Sequence, residues 1–366
     1  MRVFISLGDL SAANYLFAIF REGFEDFELI GITDARLESI GVRSVARIED
    51  ISVVGIVEVL PRIPTLLRVL RRSKEVLKGC DALIACDAPA FNLRLVKFAR
   101  DAGVKRIIYF ISPQVWAWKP GRARFIADAC DHLIVILPFE VELYRPYQGR
   151  EFKVHYLGHP LVDLVRPGSD PETFRSEVGV EGEFLTLMPG SRWSEIRRHV
   201  PLIREAVRPL KIPCVVPTFP TFRGFIGTSL PEARVITEED VQRPAYTSLV
   251  YARCSAVASG TASLEAAVAG SPHAVFYRVN PLTLFLARRI VNVPYISLPN
   301  LIAGREVVRE LINPRPEDLR RAVADLWERE DIRRVQREAF HEIRKRLGES
   351  GVVERLRNLF RDLLSF

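Results

Sequence analysis

Short, unbroken apolar runs alternate with segments of helical periodicity along most of the chain. Asp81-Ala82-Leu83-Ile84-Ala85-Cys86 reads as a buried strand, Pro89 as a turn, and Asn92–Arg100 as a helix that stops at Gly103. Lys105–Ile111 and His132–Leu137 are the next strands. Strands this short and this continuously apolar, separated by helices, predict a parallel sheet covered on both faces. The stretch around 166–183 is rich in Pro, Gly and Asp and reads as a linker. A second alternation follows: strand Leu185–Met188, turn Pro189-Gly190-Ser191, helix Glu195–Arg208, strands 213–216 and 255–258, helix Leu264–Ala269 ended by Gly270, and strand Ala274–Tyr277. Beyond Glu317 the chain is helical and charged, with Leu319, Val323, Leu326 and Trp327 at helical spacing. The expected architecture is α/β: two doubly wound, Rossmann-like domains facing across a cleft. They span 1–165 and 184–340, with the linker at 166–183 and a helical tail at 341–366. Ligands of such sheets bind beyond the carboxyl ends of the strands.

Composition narrows the class. A 366-residue chain that is 48% hydrophobic and 27% charged is long enough for two domains with substantial cores. No signal peptide is expected from the opening residues, and no apolar run is long enough to cross a bilayer, so membrane contact would be at the surface. The five cysteines (Cys80, Cys86, Cys130, Cys214, Cys254) are scattered, with no C-x-x-C pair, which fits a reduced, cytoplasmic protein rather than a disulfide or zinc framework. A net charge of +7 suits anionic lipid or phosphorylated ligands. Without an RNA-binding aromatic signature or a zinc finger, nucleic acid is not an expected partner.

Several turns carry candidate chemistry. Gly190-Ser191-Arg192, with Glu195 just beyond, joins a strand to a basic helix and can offer backbone N–H groups and a guanidinium to a phosphate. An ordinary turn with a surface arginine fits equally. Ser259-Gly260-Thr261-Ala262 is a second turn of this kind, and Glu265 on the following helix either accepts ribose hydroxyls or complements the helix dipole. Neither turn is a P-loop. Asp87 ends a buried strand, placed either as a general base or as a cap of the following turn. His159 follows the last strand of the first half, as a cleft residue or as a structural one. No metal motif appears, so no cofactor is expected. The segment from Val53 to Leu70, with Arg71 and Arg72, mixes bulky aliphatics and arginines. Val57, Leu60, Ile63, Leu66, Leu67, Arg68, Arg71 and Arg72 are its candidates for shallow insertion into a lipid surface, against a plain core-facing helix pair. Trp116 and Trp118 are interfacial or core.

Nine runs in order resemble the lipid-A-disaccharide synthases: VVGIVEVLPRI from Val53, CDAPAFNLRL from Cys86, ISPQVWAWKPGR from Ile111, LPFE from Leu137, GHPL from Gly158, LMPGSRWSEI from Leu187, ASGTASLEAA from Ala258, YRVNPLT from Tyr277 and YISLPNLIAGRE from Tyr295. The resemblance implies a GT-B fold with an acceptor domain followed by a nucleotide domain. It implies transfer of 2,3-diacylglucosamine from UDP-2,3-diacylglucosamine to lipid X (2,3-diacylglucosamine 1-phosphate) with inversion, on the cytoplasmic face of a Gram-negative inner membrane, with UDP-sugar as a substrate and no cofactor. A homodimer is compatible with it. It places Asp87 on the aspartate taken as catalytic, and Arg192, Ser259–Ala262, Glu265 and Asn300 where UDP is held. The first loop departs from the family's G-E-x-S-G-D pattern. Here it reads Gly8-Asp9-Leu10-Ser11-Ala12-Ala13, so Asp9 and Ser11 are the weaker catalytic candidates and Ala13 replaces a carboxylate. Another UDP-sugar enzyme of the same fold, such as an epimerase, and an inactive binding relative are the alternatives.

Overall fold

The computed structural model describes residues 1–51, 62–117, 121–280 and 293–366. Two compact units divide the chain: Met1–Pro160 with Leu347–Phe366, and the described residues between Leu161 and Arg346.

The first unit is built on seven strands: β1 (Arg2–Ser6), β2 (Glu28–Thr33), β3 (Arg43–Arg47), β4 (Ala82–Cys86), β5 (Arg106–Phe110), β6 (His132–Val135) and β7 (Lys153–Tyr156). All pairings are parallel, in the order β3-β2-β1-β4-β5-β6-β7. Every residue of β4 and β6 is buried, as expected for strands covered on both faces. The second unit has six parallel strands, β8 (Leu185–Met188), β9 (Cys214–Pro217), β10 (Ala233–Ile236), β11 (Cys254–Ala258), β12 (His273–Tyr277) and β13 (Glu310–Ile312), ordered β10-β9-β8-β11-β12-β13.

Two expected boundaries change. The stretch 166–183 is not a plain linker: it holds the helix Pro171–Val178, capped by Asp170, whose Oδ1 accepts the N–H groups of Glu172 and Thr173 at 3.0 Å, and ended by Gly179 in the left-handed region. Its Phe174 joins Phe184, Val215 and Ile236 in a separate apolar cluster, so packing rather than composition decides this segment. The tail at 341–366 is not a unit of its own either. Helix Val352–Leu364 returns to the first unit, where Phe360 meets Phe20 and Phe110 with ring centroids 5.3 and 5.5 Å apart. Arg357 donates to the carbonyls of Ala18 and Ile19, at the end of helix Leu10–Phe20.

Candidate active site

In the first unit the strand order reverses between β1 and β4, so the loops leaving these strands open a crevice at their carboxyl ends. Gly8 to Ser11 follow β1, and Asp87 follows β4. The loops meet closely: a Cβ on Gly8 would lie 2.5 Å from the Cys86 carbonyl oxygen and 2.7 Å from the Ala88 nitrogen, which only glycine avoids. Asp87 and Ala88 both take left-handed backbone, with φ of +50° and +39°. Asn92, fully buried in the first turn of helix Pro89–Asp101, holds them there. Its Nδ2 donates to the carbonyls of Cys86 and Asp87 at 2.9 Å and of Ser6 at 3.3 Å, and its Oδ1 accepts the Ser6 hydroxyl. Tyr109 donates a further hydrogen bond to the Asp87 carbonyl at 2.7 Å. Asn92 therefore grips the main chain of Asp87, fixing where its side chain starts.

Asp9 caps helix Leu10–Phe20, its Oδ1 accepting the Ala12 N–H at 2.7 Å. Ser11 is half-buried beside it, and Ala13, where the resemblance leads one to expect a carboxylate, lies in helix Leu10–Phe20 and is fully buried. Sequence reasoning missed Glu140, a carboxylate in the LPFE run that is 2% exposed. Burial pushes its pKa up to about 8, against the pull of the Leu137 N–H (3.1 Å from Oε2), and the Asp87 charge adds to the rise. The Trp116 indole N–H also faces Glu140, short of full hydrogen-bond geometry. His159 is buried: its backbone N–H donates to the Leu347 carbonyl, its ring stands edge-on to Tyr15, and burial pushes its pKa down to about 3.

Helix Ile63–Leu77 splits the lipid-facing candidates. Ile63, Leu67, Arg68, Arg71 and Arg72 are exposed, Leu67 by 53%, whereas Leu66 packs against the core and Val69 and Leu77 are buried. Leu67, Leu70 and Phe98 floor a cavity of about 270 Å³ edged by Arg71, Lys74 and Lys78. Val57, Leu60 and Trp118 lie outside the described residues.

In the second unit the reversal falls between β8 and β11, and the two anion-type turns follow those two strands. Gly190 has φ +116°, and a Cβ there would stand 2.6 Å from Oε2 of Glu195. That opening admits the Glu195 carboxylate, which accepts the Ser191 N–H at 3.0 Å and Nη1 of Arg192 at 3.1 Å. Glu195, expected as a ligand contact, is thus a brace for Arg192, and the Ser191 N–H is already occupied. The other turn is more open. Gly260 precedes helix Thr261–Val268 with φ +141° and supplies no side-chain cap, and the Ser263 N–H donates to the Gly260 carbonyl at 3.1 Å. Ser259 donates to the Ile296 carbonyl at 3.3 Å and Ser263 to the Gly260 carbonyl at 2.8 Å. Ala262 packs against Leu249 and Val257. Glu265 is half-buried, and desolvation pushes its pKa up to about 7 against a hydrogen bond from Tyr246.

Asn300 departs from expectation. Both of its donors and its acceptor oxygen are used internally: Nδ2 donates to the Val308 carbonyl and to Glu310 at 2.8 Å, and Oδ1 accepts the N–H groups of Val307 and Val308. Buried and saturated in this way, its amide organises a loop and has no capacity left to grip a nucleotide. Its partner Glu310, which no sequence pattern marks, also accepts the Ile296 and Ser297 N–H groups and the Ser297 hydroxyl. Among the described residues no cluster of side chains suited to a metal ion occurs, and all five cysteines are buried.

Two parallel-sheet, Rossmann-like units define the class: this is a GT-B protein. Solved structures of that fold align over nearly the whole chain, among them a UDP-GlcNAc 2-epimerase from Methanocaldococcus jannaschii in complex with UDP-GlcNAc and UDP (TM-score 0.61, 13% identity, 99% of this chain and 100% of that one). Acinetobacter baumannii MurG aligns with a TM-score of 0.54 at 11% identity, over 99% of both chains. Identities this low speak for the fold alone. At the sequence level, the family model for lipid-A-disaccharide synthetase matches residues 3–359. The lipid-A-disaccharide synthase of Aquifex aeolicus (strain VF5) is 48% identical over 365 residues, covering 99% of both chains, and that of Sulfurihydrogenibium sp. (strain YO3AOP1) is 37% identical over 99% of this chain and 98% of its own. The chain belongs to the lipid-A-disaccharide synthetase family, and it is a glycosyltransferase.

Proposed function

We propose that the chain joins two acylated glucosamines, using UDP-2,3-diacylglucosamine as donor and lipid X as acceptor, with Asp87 as the base. The observation that carries this reading is the placing of the two chemistries. A strained, main-chain-locked aspartate stands at the switch point of the first sheet, and two anion-type turns stand at the switch point of the second. The Asp87 carboxylate takes the proton of the acceptor's 6-hydroxyl as that oxygen bonds to the donor's anomeric carbon. The bond from this carbon to the diphosphate breaks with inversion, and UDP leaves. Arg192, braced by Glu195, and the uncapped N-terminus of helix Thr261–Val268 are suited to hold the charge that builds on the departing diphosphate. Glu265 is near enough to this helix start to meet the ribose, and its raised pKa lets it donate as well as accept.

The exposed Ile63 and Leu67, with Arg68, Arg71 and Arg72, fit a surface lying on the anionic inner face of a Gram-negative inner membrane, where both acylated substrates reside. Among the described residues no helix is long and apolar enough to cross a membrane. The test is turnover of matched-chain donor and lipid X in detergent micelles, followed by UDP release and disaccharide mass. Asp87→Asn should lower kcat by about 10²–10⁴-fold and leave UDP affinity intact. Near-wild-type turnover in that variant sinks the base assignment.

A further inference from the structure

His199 belongs to neither of the turns discussed so far, and no sequence motif singles it out. It is fully buried on helix Trp193–Val207, four residues after Glu195, so both side chains point from one helix face toward the chain leaving β8. Its Nδ1 lies 2.6 Å from the Pro189 carbonyl oxygen, which can only accept, so Nδ1 carries the proton. Its Nε2 accepts the Arg278 N–H at 3.0 Å, which requires a bare lone pair there. One neutral tautomer satisfies both bonds.

The two partners flank a third element. In the sheet, β11 lies between β8 and β12; Pro189 follows β8, and Arg278 follows β12. The imidazole therefore ties together the chain on either side of the Ser259–Thr261 turn, which leaves β11. Phe276 and Tyr277 pack their rings against it at 5.2 and 5.6 Å, closing the site to water.

We propose that His199 is a positioning residue for donor binding, locking the Pro189–Arg192 turn and the Tyr277–Arg278 chain at a fixed spacing around the Ser259–Thr261 turn. This rests on the reading that the donor diphosphate binds at these turns. A second proton on Nε2 would set two N–H groups against each other and break the tie to Arg278. The charged and titratable groups around the ring are Glu195 and Arg198 of its own helix and Tyr277 and Arg278 of the facing chain; burial holds the imidazole below its usual pKa.

The test uses the full chain. His199→Leu removes both bonds and keeps an apolar filler, and His199→Gln restores at most part of the tie. UDP affinity by calorimetry, with KM for donor and acceptor measured separately, should show donor KM and UDP Kd rising about tenfold in His199→Leu, acceptor KM unchanged, and partial rescue in His199→Gln. In the wild type, donor KM should rise on acidification as the ring takes its second proton, and that acid limb should vanish in His199→Gln. Histidine ¹⁵N spectra should report a protonated Nδ1 and a bare Nε2 near neutral pH, whether or not the variants fold. An imidazolium or the opposite tautomer there overturns the proposal, as does a folded His199→Leu with unchanged donor KM or with donor and acceptor weakened together. A wild type that binds no UDP overturns the reading of the unit, and this inference with it.

Discussion

Replacing Asn92 by alanine asks whether the position of Asp87 is held by a residue that never meets substrate. The side chain is fully buried, and its two N–H groups are shared among three carbonyls, those of Ser6, Cys86 and Asp87. Leaving one or two such groups unpaired in the core costs about 2–3 kcal/mol in all. For a unit of this size that lowers Tm by roughly 5–10 °C. The same amide keeps Asp87 and Ala88 in the left-handed region, where each costs about 1–2 kcal/mol. Without it the Tyr109 hydroxyl still holds the Asp87 carbonyl and the Phe110 carbonyl still accepts the Asp87 N–H, but the buried grip on the carbonyls of Ser6, Cys86 and Asp87 is lost. A shift of about 1 Å in a reacting group is worth roughly 10²-fold in rate. Thermal unfolding with steady-state kinetics on Asn92→Ala should therefore show a lower Tm, a kcat reduced by about 10²-fold and an unchanged UDP Kd. A variant whose Tm falls while kcat stays within twofold of wild type would refute the link between Asn92 and catalysis.

Glu265 gives a pH signature. Its folded pKa of about 7 stands above its ordinary value of 4.5, so its ionisation destabilises the fold: the penalty is absent below pH 4.5, grows up to about pH 7 and then levels off. Glu265→Gln should match the wild type in Tm near pH 4.5, exceed it at pH 8, and bind UDP more weakly; a Tm gap independent of pH is the contrary result. Glu310→Ala frees the Ile296 and Ser297 N–H groups, the Ser297 hydroxyl and one Asn300 donor, and should expose the loop at 296–300 to limited proteolysis and weaken UDP about tenfold; protection like that of wild type would show that the loop does not depend on it. Leu67→Ser with Arg71→Glu should cut flotation with anionic vesicles several-fold and spare UDP binding, and equal flotation would remove helix Ile63–Leu77 from the membrane face.

The alternation of apolar runs and periodic segments disclosed β4, β5 and β6 of the first sheet and β8, β9, β11 and β12 of the second, because strands covered on two faces leave an unbroken hydrophobic signature. Asp87 and the turns at 190–192 and 259–262 could be picked out as candidates for a related reason: each ends such a run, and ends of parallel strands are where ligands bind. Other features depended on partners far away in the chain. Phe174 turns a Pro- and Gly-rich stretch into packed structure by meeting Phe184 and Val215. Phe360 draws the last helix to Phe20, some 340 residues earlier. The saturation of Asn300 depends on Glu310 and the main chain at 307–308, and nothing in the SLPNLIAG run announces that its amide is spent internally.

The supporting residues share one arrangement. In each unit the loops at the switch point are held from beneath by polar side chains on the helix that follows one of the two central strands. Asn92 does this after β4, and Glu195 and His199 after β8. A helix is a better base than the loop it supports, because its backbone groups are already paired and its side chains leave at fixed angles. The consequence is a division of labour within a dozen residues of chain. The loop carries the groups proposed to meet substrate and takes positive φ, as at Gly260 and Asp87. The first two helical turns carry buried donors and acceptors whose partners are the main chain of the loops together with the Ser6 and Arg192 side chains. By the same logic, substitution of the supports should damage geometry before it damages affinity for any single ligand group.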